Sequence, residues 1–252
     1  MAARPEADLP AGGAYGHFDA RQREYVITEP LTPLPWINYL GGKALHAIVS
    51  NTGGGYSFYR DAKLRRLTRY RYDSVPLDSV GKYLYIADGD TTWNPGFRPT
   101  RTPLDRYECR HGLGYTRFLS GKDGLSADLL VFIADDENAE MQVLKLRNDS
   151  ATPKTLRVFS YVEWCLWNAD DDAGNLQRNL SLAECYVNGS MICHVTGYRE
   201  RRSHYAFHLV NRAVEGFDSD RSAFLGPYGD ASDPAAVRAR RSGNSRVNGW
   251  WP

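Results

Sequence analysis

The 252-residue chain has no C-x-x-C pair, no long apolar run and no excess of charge of either sign. Its four cysteines, Cys109, Cys165, Cys185 and Cys193, are scattered, which argues against a zinc ribbon or a dense disulfide framework and leaves them as reduced, mostly buried thiols. The longest clear apolar run, Leu129 to Ala134, is far too short to span a bilayer. The first residues carry neither the apolar core nor the small-residue cleavage site of a secretory signal, so the expected location is cytoplasmic, with no membrane partner. With 31 Lys and Arg against 30 Asp and Glu the formal charge is +1, which gives no reason to expect nucleic acid as a partner. Helical periodicity is poor throughout. The best candidate, near Asp233 to Arg241, is short and Ala/Arg-rich, and reads equally well as a loop.

What the chain does have is aromatic residues, 12% of the total with 16 Tyr and 6 Trp, a bias that suits strands and surfaces that stack on sugar rings. Residues 1–14 are rich in Ala, Pro and Gly without periodicity and read as a disordered leader. From Tyr15 onward, short β-rich runs recur between turn signals: Glu24–Thr28, His46–Ser50, Lys82–Ile86, Ala127–Ile133, Glu140–Arg147, Thr155–Trp164, Met191–Val195 and His204–Asn211. This spacing predicts an all-β, two-layered antiparallel sandwich with little helix. The segment from Glu140 to Trp164 reads as a hairpin, with Asn148, Asp149, Ser150 and Pro153 as turn residues. Both of its strands are apolar on both faces, which predicts central strands. Two long polar segments, Asp88–Arg106 and Asn168–Leu182, read as functional loops.

Three constellations could carry chemistry. In WCLWNADDDAGNLQRN, from Trp164 to Asn179, a strand rich in tryptophan opens into amides, carboxylates and one arginine, the planar groups that match vicinal sugar hydroxyls. Read alone, the same stretch is equally a solvated acidic turn in which Asp170, Asp171 and Asp172 are wet. The glycines of Gly53–Asp73 allow close backbone approach, either to a ligand or simply in a tight turn. His204 and His208 lie on one face of a strand without a third ligand at a recognisable spacing, so no metal site is expected.

Several ordered blocks then become recognisable: YGHFD at Tyr15, REYVIT at Arg23, PWINYLG at Pro35, GGYSFYRDAKLRRLTRYRY at Gly54, RHGLGY at Arg110, CLWNADDDAGNLQRNLS at Cys165, YRERRSHYA at Tyr198 and EGFDSDR at Glu215. Together they resemble the cellobiose phosphorylases of glycoside hydrolase family 94, and the YRDAK-RRLTRYRY wording is closer to the cellobiose than to the chitobiose branch. The resemblance implies that residues 15–252 form the N-terminal β-supersandwich domain, galactose mutarotase-like and truncated at its C-terminal end, with the catalytic (α/α)6 barrel absent. It implies an inverting reaction of cellobiose with phosphate to glucose 1-phosphate and glucose, inorganic phosphate being a co-substrate and no cofactor being needed. On matching positions it gives Asn168, Asn175 and Arg178 a role in binding the acceptor-side sugar, and gives the chain no catalytic residue. The implied partners are cellobiose or glucose, an (α/α)6 barrel in cis or trans, and a second copy in a homodimer. A carbohydrate-binding or scaffolding domain without catalysis is the alternative.

Overall fold

A computed structural model describes residues 13–73, 75, 77–79, 81–174, 183–196 and 205–244. The chain is almost entirely strand: β1 (Gly16–Asp19), β2 (Glu24–Ile27), β3 (Ile37–Gly41), β4 (Leu45–Ser50), β5 (Gly55–Tyr59), β6 (Arg66–Thr68), β7 (Lys82–Asp88), β8 (Thr91–Trp93), β9 (Arg106–Gly112), β10 (Tyr115–Lys122), β11 (Leu125–Ile133) and β12 (Glu140–Asn148). They are followed by β13 (Leu156–Val162), β14 (Trp164–Trp167), β15 (Ala183–Asn188), β16 (Met191–Thr196) and β17 (Tyr205–Leu209). Three short helices, α1 (Ala169–Gly174), α2 (Arg221–Leu225) and α3 (Ala235–Arg238), complete the described elements. Of the two readings open for Asp233–Arg241, helix or loop, the segment holds a single helical turn, α3.

The main layer is a six-stranded antiparallel sheet in the order β1-β2-β9-β10-β11-β12. Its inward face is set by strand geometry. In β11, Leu125, Ala127, Leu129, Val131 and Ile133 are buried while the residues between them are half-exposed, the period-2 pattern that strand geometry requires. Facing this layer is a five-stranded sheet, β14-β6-β5-β4-β3. Leu40, Leu45, Ala47 and Val49 from that sheet pack against Ile27, Cys109, Phe118, Leu129, Val131 and Ile133. Burying a Phe or Leu side chain in such a seam stabilises by about 1.5–3 kcal/mol.

A three-stranded sheet, β13-β7-β8, continues the second layer, and its Ile86 and Trp93 pack on Leu125 and Ala127. Helices α2 and α3 bury Phe224, Leu225, Ala236 and Val237 against Tyr83, Tyr85 and Tyr161. The remaining sheet, β15-β16-β17, is antiparallel throughout.

Two sequence expectations fail here. The segment Glu140–Trp164 is not a hairpin: β12 pairs with β11 and β13 pairs with β7, so the two strands diverge into different sheets. Nor are they central, because each forms an edge of its sheet. Their two-faced apolar character belongs instead to a broad cleft of about 2230 Å³ between β12, β13 and β17, into which Val143, Val158 and Leu209 are exposed. The run Thr155–Trp164 is divided at Glu163, where the chain passes from one sheet to the next.

Long polar segments also hide strands. Residues 88–106 contain β8 and close with Thr102 Oγ1 donating to Thr92 O at 2.6 Å. The four cysteines stand as free thiols, three of them buried. No described helix is long and apolar enough to cross a membrane.

Candidate sugar-facing loop

The amide-rich segment leaves the second layer at β14. This strand pairs with β6 through Trp164 opposite Thr68 and Trp167 opposite Arg66, with a bulge between them. Leu166 and Trp167 have φ of 42° and 134°, left-handed backbone that L side chains adopt at a cost of order 1–3 kcal/mol each. This pair of residues turns the chain out of the sheet, and Asn168 then caps α1. Its side-chain Oδ1 accepts from the backbone N–H groups of Asp170 at 3.0 Å and Asp171 at 3.1 Å, satisfying two of the donors that a helix start leaves open. The Asn168 amide nitrogen donates to none of the described residues. Asn175 and Arg178 lie outside the described residues.

The three aspartates of α1 have different environments, so the expectation of a uniformly wet acidic turn is corrected. Asp170 is exposed and pairs with Lys63 at 2.7 Å on the surface. Asp172 is buried and accepts two hydrogen bonds from one guanidinium, Arg69 Nε to Oδ2 at 2.9 Å and Nη2 to Oδ1 at 2.8 Å. Such a fork-to-carboxylate pairing fixes direction as well as distance. Arg69 Nη1 reaches Glu163 Oε2 at 3.0 Å, and Arg71 Nη2 donates to the Asp172 carbonyl at 3.3 Å.

Glu163 is the hub. It also receives Arg221 Nε at 3.0 Å, from the first residue of α2, and the Tyr161 hydroxyl. Burial alone would raise the Glu163 carboxyl, but Arg221 and Arg69 more than offset it and hold the group below the usual carboxylate range. Burial likewise opposes the charge of Arg69, which Asp172 and Glu163 nevertheless hold above its ordinary value. A buried network of this kind is costly to break from one side, because it leaves an uncompensated charge.

Sequence reading missed Arg69 and Glu163 as parts of this assembly. Arg69 belongs to a run of alternating basic and aromatic residues that reads as an ordinary strand, and nothing in its spacing singles out one arginine. The glycines before that run prove to serve a turn. Gly55 has φ of 112°, and Gly54 lies against the buried Asp78 carboxyl, which accepts from Ser50, from Thr52 Oγ1 at 2.6 Å and from the Tyr70 hydroxyl at 3.4 Å. A side chain at Gly54 would collide with that carboxyl. His208, on β17, faces inward and bonds Ser160 Oγ through Nε2 at 2.8 Å; His204 lies outside the described residues.

Residues 23–252 match the family model described as Glycosyl hydrolase 94, supersandwich domain. The chain belongs to the glycoside hydrolase 94 family. Among its curated relatives, an N,N'-diacetylchitobiose phosphorylase of Vibrio furnissii is 34% identical over 237 residues, which cover 92% of this chain and 29% of that protein. A solabiose phosphorylase of Paenibacillus borealis is 30% identical over 238 residues, covering 92% of this chain and 30% of that one. A cyclic beta-(1,2)-glucan synthase of Rhizobium meliloti is 29% identical over 252 residues, 96% of this chain and 9% of its own length. The chain thus spans less than a third of these relatives. Their names cover different sugars, so the glycoside hydrolase 94 assignment holds without a preference for cellobiose.

Proposed function

We propose that this supersandwich is the N-terminal part of a cellobiose phosphorylase, which converts cellobiose and phosphate to glucose 1-phosphate and glucose. In this reading Asn168, Asn175 and Arg178 bind and orient the acceptor-side glucose, and the proton transfer belongs to an (α/α)6 barrel acting with this domain. The observation that carries it is the segment Trp164–Asp172: a costly backbone turn, a capped helical start and a buried ion network hold in place a stretch whose amides suit sugar hydroxyls. Phosphate takes the place of the base-activated water of an inverting hydrolase, so no second carboxylate is asked of this domain.

The reading is tested by following glucose 1-phosphate release from cellobiose and phosphate, with the 252-residue chain alone and mixed with a separately expressed family barrel. No release alone and release on mixing is the expected result. Turnover by the chain alone would place chemistry within these residues and overturn the assignment of roles. Running N,N'-diacetylchitobiose in parallel separates the sugar specificity from the reaction type.

A further inference from the structure

We propose that Arg69 is a positioning residue for the sugar-facing loop: its forked pairing with Asp172 sets where Asn168 and the first turn of α1 stand, so that the loop is shaped before any sugar arrives. The inference deepens the reading above and rests on it for the sugar, but the positioning itself is a property of the free chain.

Arg69 is well placed to act as an anchor because its own backbone is fixed on both sides. Its N–H donates to Glu163 O at 2.9 Å, and its carbonyl accepts from the Gly81 N–H at 3.2 Å. These bonds lie where β6 ends, β7 begins and β13 passes into β14, so the guanidinium projects from a point at which three strand junctions are tied together. Gly81 makes the seam possible. A Cβ there would stand 2.6 Å from Glu163 Cβ and 3.2 Å from Arg69 Cβ, too close for any side chain.

The other end of the pair explains why an anchor is needed. Leu166 and Trp167 hold left-handed backbone, a conformation the chain leaves when nothing enforces it. The segment from Trp167 to Asp172 is held at several points: Trp167 pairs with Arg66, the Ala169 N–H donates to Lys63 O at 2.8 Å, Arg71 reaches the Asp172 carbonyl, and Arg69 grips the Asp172 carboxylate through two bonds, the one tie among these that holds a buried side chain of α1 by a fork. The side chains of Asp172, Glu163 and Arg69 are only 4%, 12% and 16% exposed, so water does not substitute readily for the missing partner when one is removed. A lysine keeps the charge but cannot span both carboxylate oxygens from a planar fork.

Amide hydrogen exchange on the 252-residue chain tests this, comparing wild type with Arg69→Lys, Asp172→Asn and, as a control, Arg117→Gln. The control breaks a pair of the same geometry, Arg117 with Asp128, on the β10–β11 ladder. Exchange over residues 168–172 is expected to speed at least tenfold in the first two variants, with β10 and β11 unchanged, and to stay at the wild-type rate in the control. Unchanged exchange at 168–172 would overturn the proposal, as would acceleration spread equally over β10 and β11, which is the signature of general destabilisation. The two loop variants cut the pair from opposite ends, so misfolding of one leaves the other to decide. Titration with glucose at a temperature where every protein is folded adds a second arm. The dissociation constant is expected to rise at least tenfold in both loop variants, and an unchanged constant in a loosened loop would count against positioning. A wild-type chain that binds no glucose while its variants still loosen would count against the sugar reading and leave the positioning role standing.

Discussion

The seam between the six-stranded and five-stranded sheets and the open side around β12, β13 and β17 are built from similar residues and reach opposite environments. In the seam, Phe118 is 1% exposed, whereas Val158 on the open side is 48% exposed. Phe207 and Leu209, which line the same cleft, are exposed as well. The difference teaches that apolar content alone does not locate a core. β11 is buried on alternate residues because a second layer stands over it, while β12, its neighbour in the same sheet, has most of its residues facing the cleft or solvent.

A polar tie crosses between the two regions. Lys82 Nζ lies 2.8 Å and 2.7 Å from the two carboxyl oxygens of Glu140, and Ser57 bonds the same carboxylate, joining β5, β7 and β12. Burial would raise the Glu140 carboxyl, but Lys82 holds it below its ordinary range. The largest effect should come from cutting this tie or emptying the seam. Lys82→Ala is expected to cost about 3–5 kcal/mol through the stranded buried carboxylate, and Phe118→Ala about the same through a cavity. Urea unfolding checks both, and Lys82→Met combined with Glu140→Leu should restore much of the first loss.

An intermediate effect is expected from pH. The folded-state pKa values of Glu140 and Glu163 are depressed, so their contribution is present above the ordinary carboxylate range and is lost as pH falls through the depressed values. His194, its ring tilted against Trp164, is lowered by burial and by His208 from 6.5 to about 4. It stays neutral in the fold, and its contribution declines as pH falls from about 6.5 towards 4. Asp78 runs the other way: burial raises its carboxyl despite the bonds from Ser50 and Thr52, so the cost of its charge is relieved on acidification. Denaturation midpoints measured from pH 7.5 to 3.5 should fall in two stages, the upper one reduced in His194→Asn and not abolished, because burial also lowers His208 and His111. A single acid transition unaffected by that substitution would remove His194 from the account.

The smallest effects belong to the open side. Val158→Ala is expected to shift stability by less than about 0.5 kcal/mol, and Lys63→Ala, which breaks the exposed pair with Asp170, to leave the urea midpoint unchanged. A Val158→Ala loss as large as that of Phe118→Ala would show that the cleft is filled in solution and would erase the contrast between the two regions.

Much of this was legible beforehand. The runs Ala127–Ile133 and Lys82–Ile86 announce β11 and β7 because both are dense in apolar and aromatic residues between turn signals. β9 and β10 were not legible, since Arg106–Lys122 mixes charged and apolar residues, some of whose ion pairs, such as Arg110 of β9 with Glu24 of β2, form across strands. In the candidate site the amide-rich loop was readable from Asn168 onward, because residue type alone suggests its chemistry. The burial of Asp172 was not, because a row of three aspartates looks the same whether or not an arginine about a hundred positions earlier reaches one of them.

By itself, then, the sequence determined the strand-rich class, the position of the loop and the family, since these depend on local pattern and ordered wording. Only the tertiary structure decided which strands are edges, that β12 and β13 part into separate sheets, and that Arg69, Glu163 and Asp172 meet. Pairing and burial are relations between distant segments, and a carboxylate's energy depends on what surrounds it rather than on its neighbours along the chain.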